Sequence, residues 1–591
     1  MLLADWTRKH LSLNHRFLFV AIVCGMVCGV AAVAFHLSIE GVFHALWTLA
    51  SGLPPVAFTA MMIAAPTFAG LLVGLVTTFW VPEAVGSGIP QTKEAYHNRG
   101  GRTRTHIGLW RFFLGTVFIG LGNSLGREGP TVHISSAIAS RLGRWGFRDP
   151  ERQRAMIPIG MAAGVGAAFN APLSAITFVF EELLDHFNAK ALGAIVIAVV
   201  VASAISRTIL GDAPILSQQL DLSYKTSGWM LVAIPLGVVA GLLGHLFVSV
   251  ILKLRKRLKG TPRKLRWMLP GIGGLCCGVL GIAAYQLTAQ FGTPENGVFS
   301  IGYETLQHTF AGSFVYQVLL ILLVFKFVAV VINYATGGSG GLFSPTLFLG
   351  AMVGGLAGLA LAALQTQFAF GGFPPAPEMI GGCVLLGMGA MFGAVIRCPM
   401  SSVLIMVEMT GNYSLILPLM AANLISWGIA SKLRPISIYD SLLLQDGVNL
   451  RRLPAYRGPR DYEHLPVSAI MTHEPVALKA MDSVEESYQK VKASARLHRS
   501  FPIVDDDYAF QGSASLDELR RESAELSEKP TASLISRSVD LFIFPETSIK
   551  AAAKRMLKDD VRQLPIVTPT KPHRLLGLVT QNDIARQQND F

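Results

Sequence analysis

Three glycine-rich segments of this 591-residue chain have the composition of helix starts: Gly86-Ser87-Gly88-Ile89-Pro90, Gly126-Arg127-Glu128-Gly129-Pro130 and Gly341-Leu342-Phe343-Ser344-Pro345. Glycine permits the backbone angles of a tight turn, and proline suits a first helical turn because its missing N–H would have had no partner there. An apolar run follows the second and third segments directly. A helix N-terminus carries about half a positive charge and unpaired N–H donors, so it binds an anion without a lysine. Taken singly, each segment reads as an ordinary helix-start turn buried by packing. Three together, aimed at one place, make an anion site, to which Ser87 brings either a hydroxyl donor or a simple cap.

Two carboxylate positions add proton chemistry. Glu128 stands between N–H donors and an apolar run, where a charged side chain at membrane depth costs about 2.5–3.5 kcal/mol and is a functional candidate by default. It either pairs with Arg127 or another basic group, or competes with an anion for the same N–H groups. In the second case the ionised carboxylate occupies the site and the protonated one leaves it, which couples protons to anions. Glu181 and Glu182 end another apolar run, followed by Asp185 and His186. Adjacent residues point about 100° apart on a helix, so at most one of the two glutamates faces a buried interior.

The elements that must position these groups are membrane helices. Hydrophobic residues make up 51% of the chain and charged ones only 15%, which excludes an ordinary soluble domain. Stretches of the length needed to cross a bilayer, about 20 apolar residues, lie near 16–39, 55–80, 107–125, 190–209, 228–252, 267–288, 313–333, 346–365, 378–396 and 413–430. Shorter apolar pieces near 131–141, 155–169, 171–184 and 400–411 are expected to enter the membrane without crossing it. Residues 441–591 carry 21 basic and 21 acidic residues, so the whole net charge of +12 falls in the apolar part. Basic residues favour the cytoplasmic side, and Arg8, Lys9, His15 and Arg16 place the N-terminus there. The polar first 15 residues, with no small-residue cleavage site after the first apolar run, predict that the first span is retained. Cys24, Cys28, Cys276, Cys277, Cys383 and Cys398 lie in apolar stretches without a metal-type spacing and read as small core residues.

The apolar part repeats itself. Residues 167–183 align with 394–410, placing Pro172, Ser174 and Glu181 over Pro399, Ser401 and Glu408, and residues 122–131 align with 337–346, placing Gly126 and Pro130 over Gly341 and Pro345. Corresponding Gly/Pro-interrupted segments in two halves point to a transport site between them.

At these residues the sequence resembles the CLC family of chloride channels and chloride/proton exchangers. The three loops match the family's anion-site motifs GSGIP, GREGP and GxFxP in order, and residues 164–182, GVGAAFNAPLSAITFVFEE, match a further stretch; the similarity runs from about 20 to 445. The resemblance implies an all-α polytopic membrane domain over 1–445 with an inverted internal repeat, assembled as a homodimer with one ion pathway per subunit. It assigns the central chloride to Ser87, the backbone N–H groups of Leu342 and Phe343, and Tyr439 in the segment PISIYDSL. It makes Glu128 the external gate and Glu182 the internal proton-transfer glutamate of the family's exchangers. Family channels typically carry a non-acidic residue at the latter position, so the two acids together favour antiport over a passive, glutamate-gated channel. Serine at 87 argues against the nitrate-preferring relatives, which carry proline there, and the intact GSGIP and GREGP motifs argue against the fluoride-exporting branch. Chloride and protons are then the substrates, with no cofactor required, no nucleic-acid partner and no enzymatic activity. The expected location is a bacterial inner membrane, with N-terminus and tail in the cytoplasm.

After a linker at 446–464 the composition becomes that of a soluble α/β domain with two similar units, 465–525 and 526–591, each carrying a Pro-Ile-Val strand (502–504 and 565–567) and a later strand and helix. The pattern resembles a tandem cystathionine-β-synthase-type (CBS) pair. In nucleotide-binding pairs of that kind an aspartate after the last strand holds the ribose; the resemblance gives this role to Thr580 and Asp583, with Asp517 in the first unit and an adenine nucleotide as ligand. Asp583 is equally readable as a helix cap.

A function of another class is also written in the sequence. Gly337-Gly338-Ser339-Gly340 contains the GxSG pattern of intramembrane serine proteases, which would need a histidine base from among His36, His44, His133, His245 and His308. That reading explains neither the repeat nor the other two loops.

Overall fold

The computed structural model describes residues 12–184, 189–211, 227–368, 376–448, 450, 465–473, 475–494, 500–525, 528–535 and 540–589. Arg8 and Lys9, the Asp185-His186 pair and most of the 446–464 linker lie outside the described residues. The chain divides into two units, Met1–Arg451 and Arg452–Phe591.

The first unit is helical: α1 Leu13–Ser51, α2 Pro55–Phe79, α3 Ile89–His97, α4 Thr105–Gly120, α5 Glu128–Gly146, α6 Pro150–Phe169, α7 Pro172–Glu182, α8 Ala189–Leu210, α9 Ser227–Lys259, α10 Leu269–Ala289, α11 Tyr303–Phe310, α12 Tyr316–Ala335, α13 Phe343–Phe368, α14 Ala376–Val395, α15 Pro399–Thr410, α16 Ile416–Leu433 and α17 Ile438–Gln445, with one helical turn at Arg263–Arg266. Among the described residues nine helices are long and apolar enough to cross a membrane; the chain is a multi-pass integral membrane protein.

One expectation about spans changes, and two short pieces prove to be parts of longer helices that are still not among those apolar enough to cross. The stretch near 107–125 yields the 16-residue helix α4, because the chain turns out of it at Gly122, whose φ of 101° is left-handed. The pieces near 131–141 and 155–169 belong to helices of 19 and 20 residues, α5 and α6. Their polar residues are buried in protein: His133 Nδ1 and the Ser135 and Ser136 hydroxyls lie inside, without a hydrogen-bond partner among the described residues. The pieces near 171–184 and 400–411 do give short helices, of 11 and 12 residues, which at 1.5 Å per residue reach only about 17 Å of a roughly 30 Å core.

Small residues bring the long helices together, as expected where lipid offers no hydrophobic drive between them. A Cβ on Gly274 of α10 would lie 2.0 Å from the Pro66 carbonyl oxygen of α2, and one on Gly354 of α13 would lie 2.2 Å from that of Cys383 in α14. The six cysteines are unbridged, and all but Cys276 are buried.

Among the described residues the second unit holds two three-stranded sheets, made from β1 Thr472–His473, β2 Leu478–Lys479, β3 Ser500–Val504, β4 Phe510–Ser515, β5 Gln563–Val567 and β6 Leu575–Thr580. Helices α18 Val484–Ala493, α19 Leu516–Glu525, α20 Ile549–Lys558 and α21 Gln581–Asn589 accompany them. One sheet runs β2-β3-β4; the other runs β1-β6-β5, with Thr472 opposite Leu578. The opening segment of the first CBS-like unit therefore completes the sheet of the second. Val467 joins the second core with Ile549, Leu564, Ile566 and Val579, while Leu478, Val484, Phe501, Ile503 and Leu519 form the first. The break between the two folding cores thus falls inside the run 465–525, just before β2.

Candidate functional site

The three glycine-rich loops converge within the membrane unit. Gly126 and Gly341 exchange backbone hydrogen bonds, at 2.8 Å from the Gly126 N–H and 2.6 Å from the Gly341 N–H. The starts of α5 and α13 thus meet head to head. The first loop joins them: the Gly86 N–H donates to the Gly338 carbonyl at 3.0 Å. A Cβ on Gly129 would lie 2.7 Å from the Ser87 carbonyl oxygen and 3.1 Å from the Gly341 Cα, so only glycine lets the three backbones approach this closely.

Ser87 is buried, and its hydroxyl oxygen accepts the Ile89 N–H at 3.3 Å. A hydroxyl that accepts in this way keeps its own proton to donate, so capping and anion contact are compatible. Leu342 and Phe343 are fully buried at the start of α13, where first-turn N–H groups have no intrahelical acceptor. The Phe343 ring is packed by Phe169, Phe178 and Phe392, at centroid distances of 5.8, 5.0 and 4.8 Å. Tyr439, second residue of α17, is fully buried, and its hydroxyl has no hydrogen-bond partner among the described residues. A phenol orphaned in this way is costly unless an acceptor arrives, and a halide supplies one.

Glu128 is the first residue of α5 and is buried. Its Oε2 faces the Ser344 N–H of α13 at 3.4 Å, while Oε1 accepts from the Tyr303 hydroxyl at 2.8 Å and from the Ser344 hydroxyl. Arg127 approaches only to 3.9 Å through Nε, and another of its nitrogens donates to the Ala168 carbonyl. The carboxylate is therefore held by hydroxyls and a helix start rather than by its neighbouring arginine.

The two ends of the Glu pair part as their angle requires. Glu182 points inward: Lys93 Nζ lies 2.5 Å from Glu182 Oε1 and 2.7 Å from Asp440 Oδ1, and the Cys398 thiol stands 3.5 Å from Glu182 Oε2. Lys93 and Glu182 are almost wholly buried, whereas 22% of the Asp440 side chain is exposed, so the aspartate is the triad's contact with solvent. Glu181 instead accepts the N–H groups of Met400 and Ser401 at the start of α15.

Sequence reasoning missed four groups here. Lys93 lies six positions after Ser87 and Asp440 follows Tyr439, so both stood inside or beside recognised motifs. Arg111 is fully buried and donates to the carbonyls of Glu83, Val85 and Gly86, so it holds that loop's oxygens. Tyr303 sits in a polar gap between spans and carried no signal.

A cavity of about 540 Å³ borders the loops at Val85, Gln91 and Gly337 and bears Arg255, Lys259, Arg263 and Arg266. Ser339 is buried and its hydroxyl makes no hydrogen bond among the described residues, so none of His36, His44, His133, His245 and His308 meets it as a protease would require.

In the tail, Thr580 and Asp583 form a reciprocal cap on α21: the Thr580 N–H and hydroxyl donate to Asp583 Oδ2 at 2.8 and 2.7 Å, and the Asp583 N–H donates to the Thr580 hydroxyl. Ser515 and Glu518 repeat that box on α19. Glu518, not Asp517, is thus the structural counterpart of Asp583. Asp517 is exposed and lines a cavity of about 310 Å³ with Ser513, Asp560 and Arg562.

Fold and site together define a polytopic helical membrane protein whose broken helices gather their N-termini around a buried carboxylate. Residues 69–431 match the model of the voltage gated chloride channel family, and residues 467–525 and 533–590 match the CBS domain. The chain belongs to the voltage gated chloride channel family. It is 31% identical over 439 residues to the "H(+)/Cl(-) exchange transporter ClcA" of Salmonella paratyphi A, covering 72% of this chain and 88% of that protein, and equally so to that of Salmonella typhi. A slow cyanobacterial Cl-/H+ antiporter superposes with a TM-score of 0.65 at 25% identity, over 74% of this chain and 99% of the other. A eukaryotic CLC transporter shares the fold with a TM-score of 0.64 at 19% identity, over 97% of this chain and 99% of the other.

Proposed function

We infer that this protein is a proton-coupled chloride antiporter. The observation that carries the reading is the seat of Glu128: its carboxylate faces the Ser344 N–H at the helix start where an anion would bind. An ionised Glu128 and a chloride then exclude one another, and each proton that lifts the carboxylate admits an anion. Chloride is assigned to the Ser87 hydroxyl, the N–H groups of Leu342 and Phe343, and the unpartnered Tyr439 hydroxyl. Glu182, with Lys93 and Asp440, is assigned the proton on the inner side. A passive channel has no use for a second buried acid there.

The test is flux in liposomes holding purified protein. A chloride gradient should drive proton uptake, and Glu128→Ala should abolish it while chloride still moves. Proton pumping retained in Glu128→Ala overturns the assignment.

The same reading extends to setting. Eight basic residues crowd 253–266, which supports a cytoplasmic position for that end of the membrane unit; the N-terminus and the tail are assigned to the same side of a bacterial inner membrane. A homodimer is proposed from the family, and photobleaching that counts one subunit per particle would overturn it. An adenine nucleotide is proposed for the tail at Thr580 and Asp583.

A further inference from the structure

Glu128 is gripped by more than the helix start that the antiport reading requires. Tyr303 and Ser344 come from different elements, α11 and α13, yet both hydroxyls donate to the same oxygen, Oε1, and stand 3.2 Å from one another. Tyr303 is aimed from two sides. Its helix is preceded by the cap residue Gly302, whose φ of 85° turns the chain, and the loop before that is pinned by the buried Lys326, which donates to the Gly297 and Ser300 carbonyls at 2.9 Å each. The Arg127 guanidinium lies 5.5 Å from the centre of the Tyr303 ring and steadies its face.

We propose that the hydroxyls of Tyr303 and Ser344 are a latch that holds the ionised Glu128 carboxylate across the anion path and sets how much chloride is needed to displace it. The proposal rests on the antiport reading and deepens it. A carboxylate only accepts hydrogen bonds, so two donors on one oxygen fit its charged form. A proton arriving on Oε1 makes that oxygen a donor that needs an acceptor, so one of the two hydroxyls must rotate from donating to accepting. Protonation thus replaces two charge-assisted hydrogen bonds by weaker neutral ones, and the latch loosens. Tyr303 and Ser344 are positioning residues: they act on chloride through Glu128.

The experiment measures half-saturating chloride and maximal turnover in liposomes for Tyr303→Phe, Ser344→Ala and the pair. Phenylalanine keeps the ring and its place over Arg127, and alanine suits a first helical turn. A hydrogen bond to a charged group is worth enough that each loss should lower half-saturating chloride by about tenfold, with a smaller change in maximal turnover. Ser344→Thr, which keeps the hydroxyl, should restore the wild-type value. In a Glu128→Ala background Tyr303→Phe should change nothing, since there is no carboxylate to hold. Unchanged half-saturation in Tyr303→Phe and Ser344→Ala overturns the latch, and so does an equal shift with and without Glu128, which would mean that the hydroxyls touch chloride directly. Failure of the antiport reading is seen separately, as absent proton flux in the wild type.

Discussion

Glu181 holds Ser401 by its N–H at 2.8 Å and its hydroxyl at 2.5 Å, and its repeat partner Glu408 holds Ser174 in the same two ways at 2.8 and 2.6 Å. Each glutamate, near the end of one short helix, caps the start of the other, so α7 and α15 form a closed antiparallel pair. A carboxylate at a helix N-terminus is stabilising through both its hydrogen bonds and the helix dipole. This arrangement commits Glu181 to capping and leaves Glu182 to Lys93.

Glu181→Gln should therefore lower the melting temperature of the detergent-solubilised protein while leaving proton-to-chloride coupling near that of the wild type. An amide keeps one acceptor but loses the charge, a cost of about 1–2 kcal/mol at a cap. Glu182→Val should do the reverse, cutting proton flux strongly while chloride still binds. If Glu181→Gln alone abolishes proton flux, the assignment of the inner acid is wrong.

Lys93 is the cation between Glu182 and Asp440. Lys93→Met leaves two carboxylates facing each other without a counter-charge, and breaking such a buried pair typically costs about 3–5 kcal/mol. Slower proton turnover with little change in chloride affinity by calorimetry is expected, and Lys93→Arg should recover part of the rate. A large loss of chloride affinity with proton coupling intact would instead make Lys93 part of the anion path.

The loops were legible in the sequence because glycine and proline act locally: a Gly-x-x-x-Pro run announces a helix start whatever surrounds it. The repeat announced more, since the match of Glu181 to Glu408 and of Gly126 to Gly341 identified residues that meet their counterpart's half in space. It did not say how they meet. Tyr303 and Glu128 are 175 positions apart, and no periodicity or turn chemistry marks a tyrosine that reaches a carboxylate on another helix. The exchange of β1 into the second sheet of the tail was hidden for the same reason, being a two-residue pairing across about a hundred positions. Asp517-Glu518 offers two adjacent acids, and only the capping geometry marks Glu518 as the counterpart of Asp583.

In the tail, Asp583→Ala removes a cap whatever the ligand, which should cost about 1 kcal/mol and appear as a lower melting point for the tail's transition in the full-length protein. Should ATP or AMP raise the wild-type melting point, Asp583→Ala should lose that increment as well, whereas Glu518→Ala lowers stability but keeps it. An increment that survives Asp583→Ala would move the nucleotide away from Thr580 and Asp583, towards the cavity beside Asp517 and Arg562.

Ser87 tests the anion site itself. Its hydroxyl oxygen is used by the Ile89 N–H, so the proton it keeps is what an anion can gain. Ser87→Pro removes that hydroxyl and the residue's own N–H together, while the rest of the site, from α13 and Tyr439, is untouched. Chloride, a compact charge, loses more from a missing donor than nitrate, which spreads its charge over three oxygens. With hydrogen bonds to charged groups worth about 1.5–3 kcal/mol, chloride should weaken by roughly tenfold or more, and proton flux driven by nitrate should rise relative to that driven by chloride. Anion-exchange measurements with either salt inside the liposome read this directly. An unchanged preference would make Ser87 a cap and nothing else, and would leave chloride to the α13 backbone and the Tyr439 phenol.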